Sequence, residues 1–474
     1  MIEVIAAASL IASAFIQALH IFYSFGYSRY DYLFHTKYRY NNPGNTSNFI
    51  PYITIAIPIK NEDPNILRET LESCLNIEWP RDRIEILVIS DDPIERREEI
   101  RKTVEDLQSR SDAVKLIFRD KPDGGRIGAL NLAIREARGD ILILLDVDTK
   151  PSQGIVRKAV EMIGDGCDAV VFRWRGRYTF DTRLARALST AMEFIVGSLY
   201  RGRAGIGCHL VPLGSGTAYK RSALIYVGGW DSGIVQDDYW MGIKLFERGL
   251  RICYCDDEYV EVLVTSTYRA FKIQQCRWSF GAVQAIRKGV GKIRASKAPL
   301  WKKLELVIYG LQYIPTIAIA ISTYIYPILL VFHIGPDPLE SIPHIFILWL
   351  IISITYIVRY IEIVMKRQNL QLIEAIKRLG TSSAATSSLS LHIAINQIQG
   401  MLLSKYRYAI TPKGSKERLY NGIGFSEMPE ILSIVALFTG IAISIIKGYV
   451  LSAVWLVLLI SGYIYTLLVI ARGK

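Results

Sequence analysis

The chain has 474 residues, 51% of them hydrophobic, which excludes a disordered or wholly solvated protein and leaves room for about three compact domains. Lys and Arg number 56 against 44 Asp and Glu, a formal net charge of +12, so an anionic partner or surface is expected. The six cysteines are too few and too scattered for a disulfide framework. Cys253-x-Cys255 is a weak metal pattern with no matching His/Cys cluster, and buried small hydrophobes in a reducing cytosol are the expectation.

In chain order, the first element is an apolar stretch from Ile2 to Phe25 with one acid, Glu3, and no Lys or Arg, long enough to cross a bilayer as a helix. Its Met-Ile-Glu start lacks the basic region of a secretory leader, so residues 1–26 read as an uncleaved anchor. Residues 27–303 read as a charged α/β domain. Ile53–Ile57, Ile84–Ile89, Val114–Phe118, Ile141–Leu145 and Ala169–Phe172 are short apolar runs suited to strands buried on both faces. Helical patterns at Asn65–Leu75 and Ile94–Leu107 separate them, which predicts a mostly parallel, Rossmann-like sheet with right-handed crossovers.

Ligands of such sheets gather at the carboxyl ends of the strands. Asp91-Asp92 follows the second run and Asp146-Val147-Asp148 the fourth. A lone Asp there is more often a cap or turn former, but two acidic clusters at strand ends in a basic domain argue for a site. Read as an extended segment, Asp146 and Asp148 fall on one side, where two hard oxygens suit Mg²⁺ or Mn²⁺. Lys60, Lys121, Arg126 and Arg277 are the companion cations, and Asp120-Lys-Pro-Asp-Gly-Gly-Arg126 is a glycine-rich loop able to approach a phosphate. The absence of a Gly-x4-Gly-Lys-Ser/Thr motif excludes a P-loop ATPase.

Residues 304–474 read as a membrane region, with spans at 306–332, 344–363, 431–446 and 449–470. Arg359 and Glu362 sit near a helix exit, spaced to pair. Residues 381–403 are Ser/Thr-rich and carry His392, Asn396, Gln397 and Gln399. Lys366, Arg367, Lys377 and Arg378 precede that stretch, and Lys405, Arg407, Lys413, Lys416 and Arg418 follow it. Basic flanks on both sides favour an interfacial or re-entrant helix over a span, with 404–427 a cytoplasmic loop. The expected topology is five spans, the first residue outside and the large domain cytoplasmic at a cell membrane.

The ordered set Ile57-Pro-Ile-Lys-Asn-Glu62, Asp91-Asp92, Gly125-Arg-Ile-Gly-Ala-Leu-Asn131, Asp146-Val-Asp148, Gly214-Ser-Gly-Thr-Ala-Tyr-Lys-Arg221, Gly228-Gly-Trp230, Gln236-Asp-Asp238 and Gln274-Gln-Cys-Arg-Trp278 resembles glycosyltransferase family 2. The match is to its membrane-embedded branch of cellulose, chitin and hyaluronan synthases and ceramide glucosyltransferase. The resemblance covers Ile50–Lys288 closely and implies a GT-A fold, a nucleotide-diphosphate sugar donor, UDP-linked by preference, and Mg²⁺ or Mn²⁺. It assigns Lys60, Glu62, Asp91, Asp92, Arg126, Asp146 and Arg277 to the nucleotide, and Asp146 and Asp148 to the metal. Arg126 stands where the family usually has Lys, keeping charge in a planar fork. Gln236-Asp-Asp stands where the family has Thr-Glu-Asp, so Asp238 becomes the base, with Asp237 the alternative. Gly214, Ser215, Gln274 and Trp278 would meet the acceptor, although Trp278 also suits domain–membrane packing. Tyr408, Thr411 and Lys413 lie in a stretch similar to the gating loop of cellulose synthases, with Tyr and Ile replacing Phe and Val.

The implied reaction inverts the anomeric centre to a β-glycoside. The acceptor is a growing glycan or, alternatively, a lipid. A transporter with a nucleotide-sensing domain is the remote alternative. No nucleic-acid partner is expected; an accessory subunit or oligomer would complete a secretion path that five spans leave short.

Overall fold

In the computed structural model, the described residues are 1–31, 50–403, 406, 411–414, 417 and 424–471. Helix α1, Ile2–Ser24, opens the chain. Strands β1 (Ile53–Ile59), β2 (Ile84–Ser90), β3 (Val114–Phe118) and β4 (Ile141–Leu144) fall on the first four apolar runs. Between them lie α2 (Pro64–Leu75), α3 (Ile94–Gln108) and α4 (Gly125–Glu136). Asp63 accepts from Asn65 N at 2.9 Å and Pro64 occupies the first turn, so α2 starts with a side-chain cap and a preset φ.

Successive residues of β1 enter opposite cores. Ile53, Ile55 and Ile57 pack with Leu67 and Leu71 of α2 and Ile100 and Val104 of α3. Ala56 lies with Leu87, Ile89 and Leu130 on the other face. Burial on both faces is why these strands read as unbroken apolar runs, and each buried Ile contributes roughly 1.5–3 kcal/mol relative to exposure.

The remaining elements of this domain are β5 (Thr149–Pro151), α5 (Ile155–Gly164), β6 (Ala169–Arg177), α6 (Arg183–Ile195), β7 (Thr217–Lys220), α7 (Asp237–Glu247), β8 (Ile252–Leu263) and α8 (Tyr268–Ala295). The strands form one sheet in the order β3-β2-β1-β4-β7-β6-β8-β5. β1 to β4 are parallel, β7 runs antiparallel to β4 and β6, and β6 is parallel to β8. The expectation of a mostly parallel α/β sheet holds; β5, β7 and β8 are additional to the runs picked from the sequence.

One expectation fails. Cys167 and Cys253 form a disulfide; the parallel register pairing Ala169 with Ile252 and Val170 with Cys253 brings Cys167, two residues ahead of β6, near the start of β8. Cys255 is a buried thiol pushed up to about 12 by burial, which disfavours the thiolate a metal would need.

Past α8 come α9 (Leu300–Gly310), α10 (Thr316–Phe332), α11 (Pro343–Gln368), α12 (Leu372–Ser388), α13 (Ser390–Leu402), α14 (Met428–Lys447) and α15 (Val450–Tyr465). Four helices among the described residues are long and apolar enough to cross a bilayer: Ile2–Asp31, Pro343–Gln368, Phe425–Lys447 and Val450–Ile470. The stretch expected as one span, 306–332, is instead α9, a turn, and the shorter apolar helix α10. Pro315 has no N–H to continue a helix. Tyr313 O at the break accepts from Gln397 Nε2 of α13 at 2.7 Å. Residues 381–403 likewise divide at Leu389 into the end of α12 and α13. α12 packs on α6 and α15, and α13 packs on α8 and α10, so the pair lies between the sheet domain and the apolar helices. Arg359 and Glu362 form the expected pair.

Glycines set the join between α1 and the sheet domain. A Cβ on Gly26 would sit 2.0 Å from Gly202 O, so the backbones touch there. Below it, Arg367 from the end of α11 reaches Asp256 of β8 at 2.9 Å and Glu193 of α6 at 2.7 Å. Arg201 also pairs with Asp256 and with Asp31.

Candidate active site

The strand ends deliver the polar residues. After β1, Asn61 takes a left-handed conformation (φ 54°), tolerated by Asn, and its N donates to Asp92 Oδ1 at 2.7 Å. After β2, Asp91 and Asp92 are buried. Arg119, just beyond β3, forks onto Asp91, Nε to Oδ1 at 2.6 Å and Nη2 to Oδ2 at 3.0 Å. Ser90 Oγ donates to Asp92 Oδ2 at 2.8 Å. This acidic pair is therefore pre-positioned, and Arg119 is a partner the sequence reading missed, although its place directly after a strand was the available signal. Lys60 is exposed at the end of β1, and the Glu62 carbonyl accepts from Arg96 Nη2 at 2.7 Å. Lys121 is exposed in the loop ahead of α4.

Arg126 is the centre of the cleft. It lies in the first turn of α4, behind Gly124 (φ 73°) and Gly125 (φ 52°), whose left-handed backbones only glycine adopts without strain. One Nη donates to Asp237 Oδ2; the other donates to Asp146 Oδ1 at 2.9 Å and to Gly214 O at 2.8 Å. Burial works against this guanidinium's charge, yet Asp237, Asp146 and Asp238 more than offset it and raise its pKa. A Cβ built on Gly214 would meet Asp238 Oδ2 at 3.5 Å and Arg126 Nη2 at 3.9 Å, so Gly214 walls the space between them. Ser215 Oγ accepts from Asp146 N at 2.9 Å and donates to Thr149 Oγ1 at 2.8 Å. Trp174 Nε1 holds Ser215 O at 2.8 Å, a second contact the sequence did not disclose.

Asp237 and Asp238 begin α7, where the helix dipole favours negative charge. Asp238 Oδ1 accepts from its own neighbour's amide, Tyr239 N, at 2.7 Å. Desolvation and then the Asp237 charge push its carboxyl up to about 7, with Arg126 and Arg277 pulling the other way. A carboxyl so placed can take up a proton near neutrality. Arg277 thus acts electrostatically on Asp238. Gln274, Arg277 and Trp278 share one face of α8 at i, i+3 and i+4, each half-buried.

Asp146 and Asp148 are not in a strand. β4 ends at Leu144, and Thr149 N donates to Asp146 O at 3.0 Å, closing a turn. The period-two argument that put both on one side therefore does not apply. Asp146 meets Arg126, whereas Asp148 Oδ2 accepts from Lys413 Nζ at 2.7 Å. Lys413 belongs to the loop expected to gate the site; Thr411 Oγ1 there is buried with no partner among the described residues, and Tyr408 lies outside the described residues. Glu417 Oε1 in the same loop accepts from Ser266 N at 2.7 Å and Thr267 N at 2.9 Å, at the start of α8.

Among the described residues no three His, Cys, Asp or Glu side chains gather as a metal cage. A divalent ion held by one or two carboxylates and the substrate's own phosphates needs none. Asp148 Oδ1 is buried and has no hydrogen-bond partner among the described residues, a hard oxygen suited to such an ion. The donor set fits Mg²⁺ or Mn²⁺.

Residues 54–228 match the glycosyl transferase family 2 profile. A probable glycosyltransferase of Sulfolobus acidocaldarius is 31% identical over 422 residues, covering 88% of this chain and 89% of that protein. Glucomannan 4-beta-mannosyltransferase 2 of Arabidopsis thaliana is 25% identical over 272 residues, 55% of this chain and 50% of that one. A mannosyltransferase from Pyrobaculum calidifontis, solved with GDP-Man and Mn²⁺, superposes with a TM-score of 0.53 at 20% identity, covering 80% of this chain and 99% of that one. Its likeness gives the fold, the GT-A-like arrangement of a mostly parallel sheet. The protein is a glycosyltransferase that acts on a nucleotide sugar, and it belongs to glycosyltransferase family 2.

Proposed function

We propose that this enzyme transfers a sugar, with inversion, from a nucleotide-diphosphate donor to a hydroxyl acceptor at a membrane surface. The observation that carries the reading is the cleft at the strand ends, where Arg126 joins Asp146, Asp237 and Gly214 beside Asp238. Asp91 and Asp92 would hold the nucleoside end. Arg126 and Arg277 would meet the diphosphate, offsetting charge where it develops as the leaving group departs. Asp146 and Asp148 would hold Mg²⁺ or Mn²⁺, which when bound supplies further charge to that leaving group. Lys413 and Arg126, now on those carboxylates, would turn to the donor's phosphates. Asp238 accepts the acceptor hydroxyl's proton, with Asp237 the alternative base, and attack opposite the leaving group gives a β-glycoside from an α-linked donor. Gln274, Trp278, Gly214 and Ser215 would line the acceptor.

UDP sugars are the donor expected from the motifs; the mannosyltransferase names among the relatives make GDP-mannose the second donor to assay. We read the product as a processive glycan, because the chain carries the Gln274-x-x-Arg277-Trp278 motif and a Lys413 loop that reaches Asp148, the two features expected of a processive synthase. A single transfer to a lipid is the other reading, favoured by the small number of membrane helices. The four long helices suggest membrane association, and α10 would add a fifth crossing. The basic residues around α12 and α13 favour the cytoplasmic side for the sheet domain. Chromatography and mass spectrometry of the product decide between long β-linked polymer, as proposed, and one added sugar on lipid. An α-linked product would refute inversion.

A further inference from the structure

A second basic cavity lies away from the strand ends. Its volume is about 490 Å³, and its walls come from β6 (Arg175), α6 (Glu193), the end of α11 (Lys366, Arg367) and α12 (Arg378). Four cations thus face one carboxylate. Glu193 is already occupied by Arg173 at 2.9 Å and Arg367 at 2.7 Å. Arg367 is further committed to Asp256. Arg378 holds Glu374 and Thr190 Oγ1, both at 2.9 Å. Arg175 and Lys366 are different. Both are exposed, no carboxylate among the described residues lies within ion-pair distance of either, and each rests on an aromatic ring, Tyr259 at 4.3 Å and Tyr27 at 5.7 Å.

Basic residues in the last turn of a helix often serve only its dipole or the general membrane charge. That covers Lys366 and Arg367. It does not cover Arg175, which arrives from a strand, or Arg378, which arrives from the next helix. The cavity lies at the end of α11, one of the helices long and apolar enough to cross a bilayer. Leu372, Ile373 and Ile376 on the first turns of α12, on another face from Arg378, are 51%, 67% and 49% exposed, an apolar surface suited to lie against a membrane. A cavity so placed meets lipid headgroups before it meets a soluble anion.

We infer that this cavity binds the phosphate headgroup of an anionic membrane lipid, with Arg175 and Lys366 on the phosphate. The site is distinct from the transfer cleft and rests only on α11 crossing the bilayer; it stands or falls independently of which sugar is moved. Bound there, a lipid bridges α11, α12 and the sheet domain.

The test uses the full chain in nanodiscs of phosphatidylcholine alone or with phosphatidylglycerol, with retained lipid measured by native mass spectrometry. Wild-type protein should retain phosphatidylglycerol preferentially. R175A/K366A should weaken that retention about 30-fold at unchanged melting temperature, two surface cations lost. K102A/R135A, the same charge loss on α3 and α4, should leave it unchanged. Equal retention by wild type and R175A/K366A, or equal loss in both double variants, overturns the site. Inorganic phosphate that displaces the lipid and binds alone as tightly would make the ligand a soluble anion and overturn the lipid assignment. Should R175A/K366A melt early, K366E alone, on an exposed side chain, gives the same readout. Sugar transfer is assayed separately, so its absence does not bear on the result.

Discussion

As the proposed base, Asp238 must be basic enough to take a proton and yet remain ionised in the resting enzyme. Desolvation and the neighbouring Asp237 raise it to about 7, while Arg126 and Arg277 keep it from rising further. The sign follows: below that value the carboxyl is protonated and cannot act as base, so the transfer rate should fall as pH drops through about 7 and level off above it, as read from initial rates at saturating donor. Arg126 couples the groups sterically as well as electrically. In Arg126→Lys the charge survives but a single ammonium replaces the fork and cannot reach Asp237, Asp146 and Gly214 O together. The expected outcome is weaker donor binding by about 1.5–3 kcal/mol, one charged hydrogen bond's worth, measured as donor Kd by calorimetry.

The broken helix pairs show how sequence and structure diverge. Gln397 is one of the polar residues that argue against 381–403 as a span; its Nε2 donates to Tyr313 O at 2.7 Å and Thr316 Oγ1 at 3.0 Å, where Pro315 stops α9 from running into α10. Tyr313 O keeps Thr316 N at 2.9 Å and Thr316 Oγ1 at 2.7 Å, so Gln397→Leu should remove only the link from α13 and lower stability by about 0.5–1.5 kcal/mol, read from thermal unfolding in detergent. The Cys167–Cys253 bridge closes 86 residues of chain. Reducing it should cost about 2–4 kcal/mol by freeing the unfolded ensemble, with a matching fall in melting temperature. β1 to β4 were legible because burial on both faces writes a continuous apolar run. β7 and β8 were not: Thr217–Lys220 is short and mixed, and Cys253, Asp256 and Asp257 hide β8 behind cysteines and charges. The carboxylates at the strand ends were legible as a cluster. Their actual partners, Arg119 for Asp91 and Lys413 for Asp148, were not, since each pairing spans separate loops and no local spacing records it.

Across the molecule, the sheet domain is tied to the apolar helices by buried charge. Asp256 of β8 takes Arg201 and Arg367, the latter from the end of α11. Burial alone would raise this carboxyl, but the two guanidiniums outweigh it and hold it well below the usual range. Its folded value lies under its unfolded one, so the stabilisation is complete above about pH 4 and is lost as pH falls toward the folded value. Asp256→Asn leaves two buried cations short of a partner. It should destabilise by about 3–5 kcal/mol and flatten the acid limb of the unfolding curve. The most direct test of the enzyme itself is nucleoside-diphosphate release by purified protein with Mn²⁺ or Mg²⁺, across UDP and GDP sugars, for wild type and Asp238→Asn. Turnover of at least one donor by wild type, reduced about 10²- to 10⁴-fold in the variant with donor Kd unchanged, is the predicted result. Equal turnover by the two proteins would contradict Asp238 as the base, and no turnover of any donor by wild type would contradict the transfer cleft as drawn.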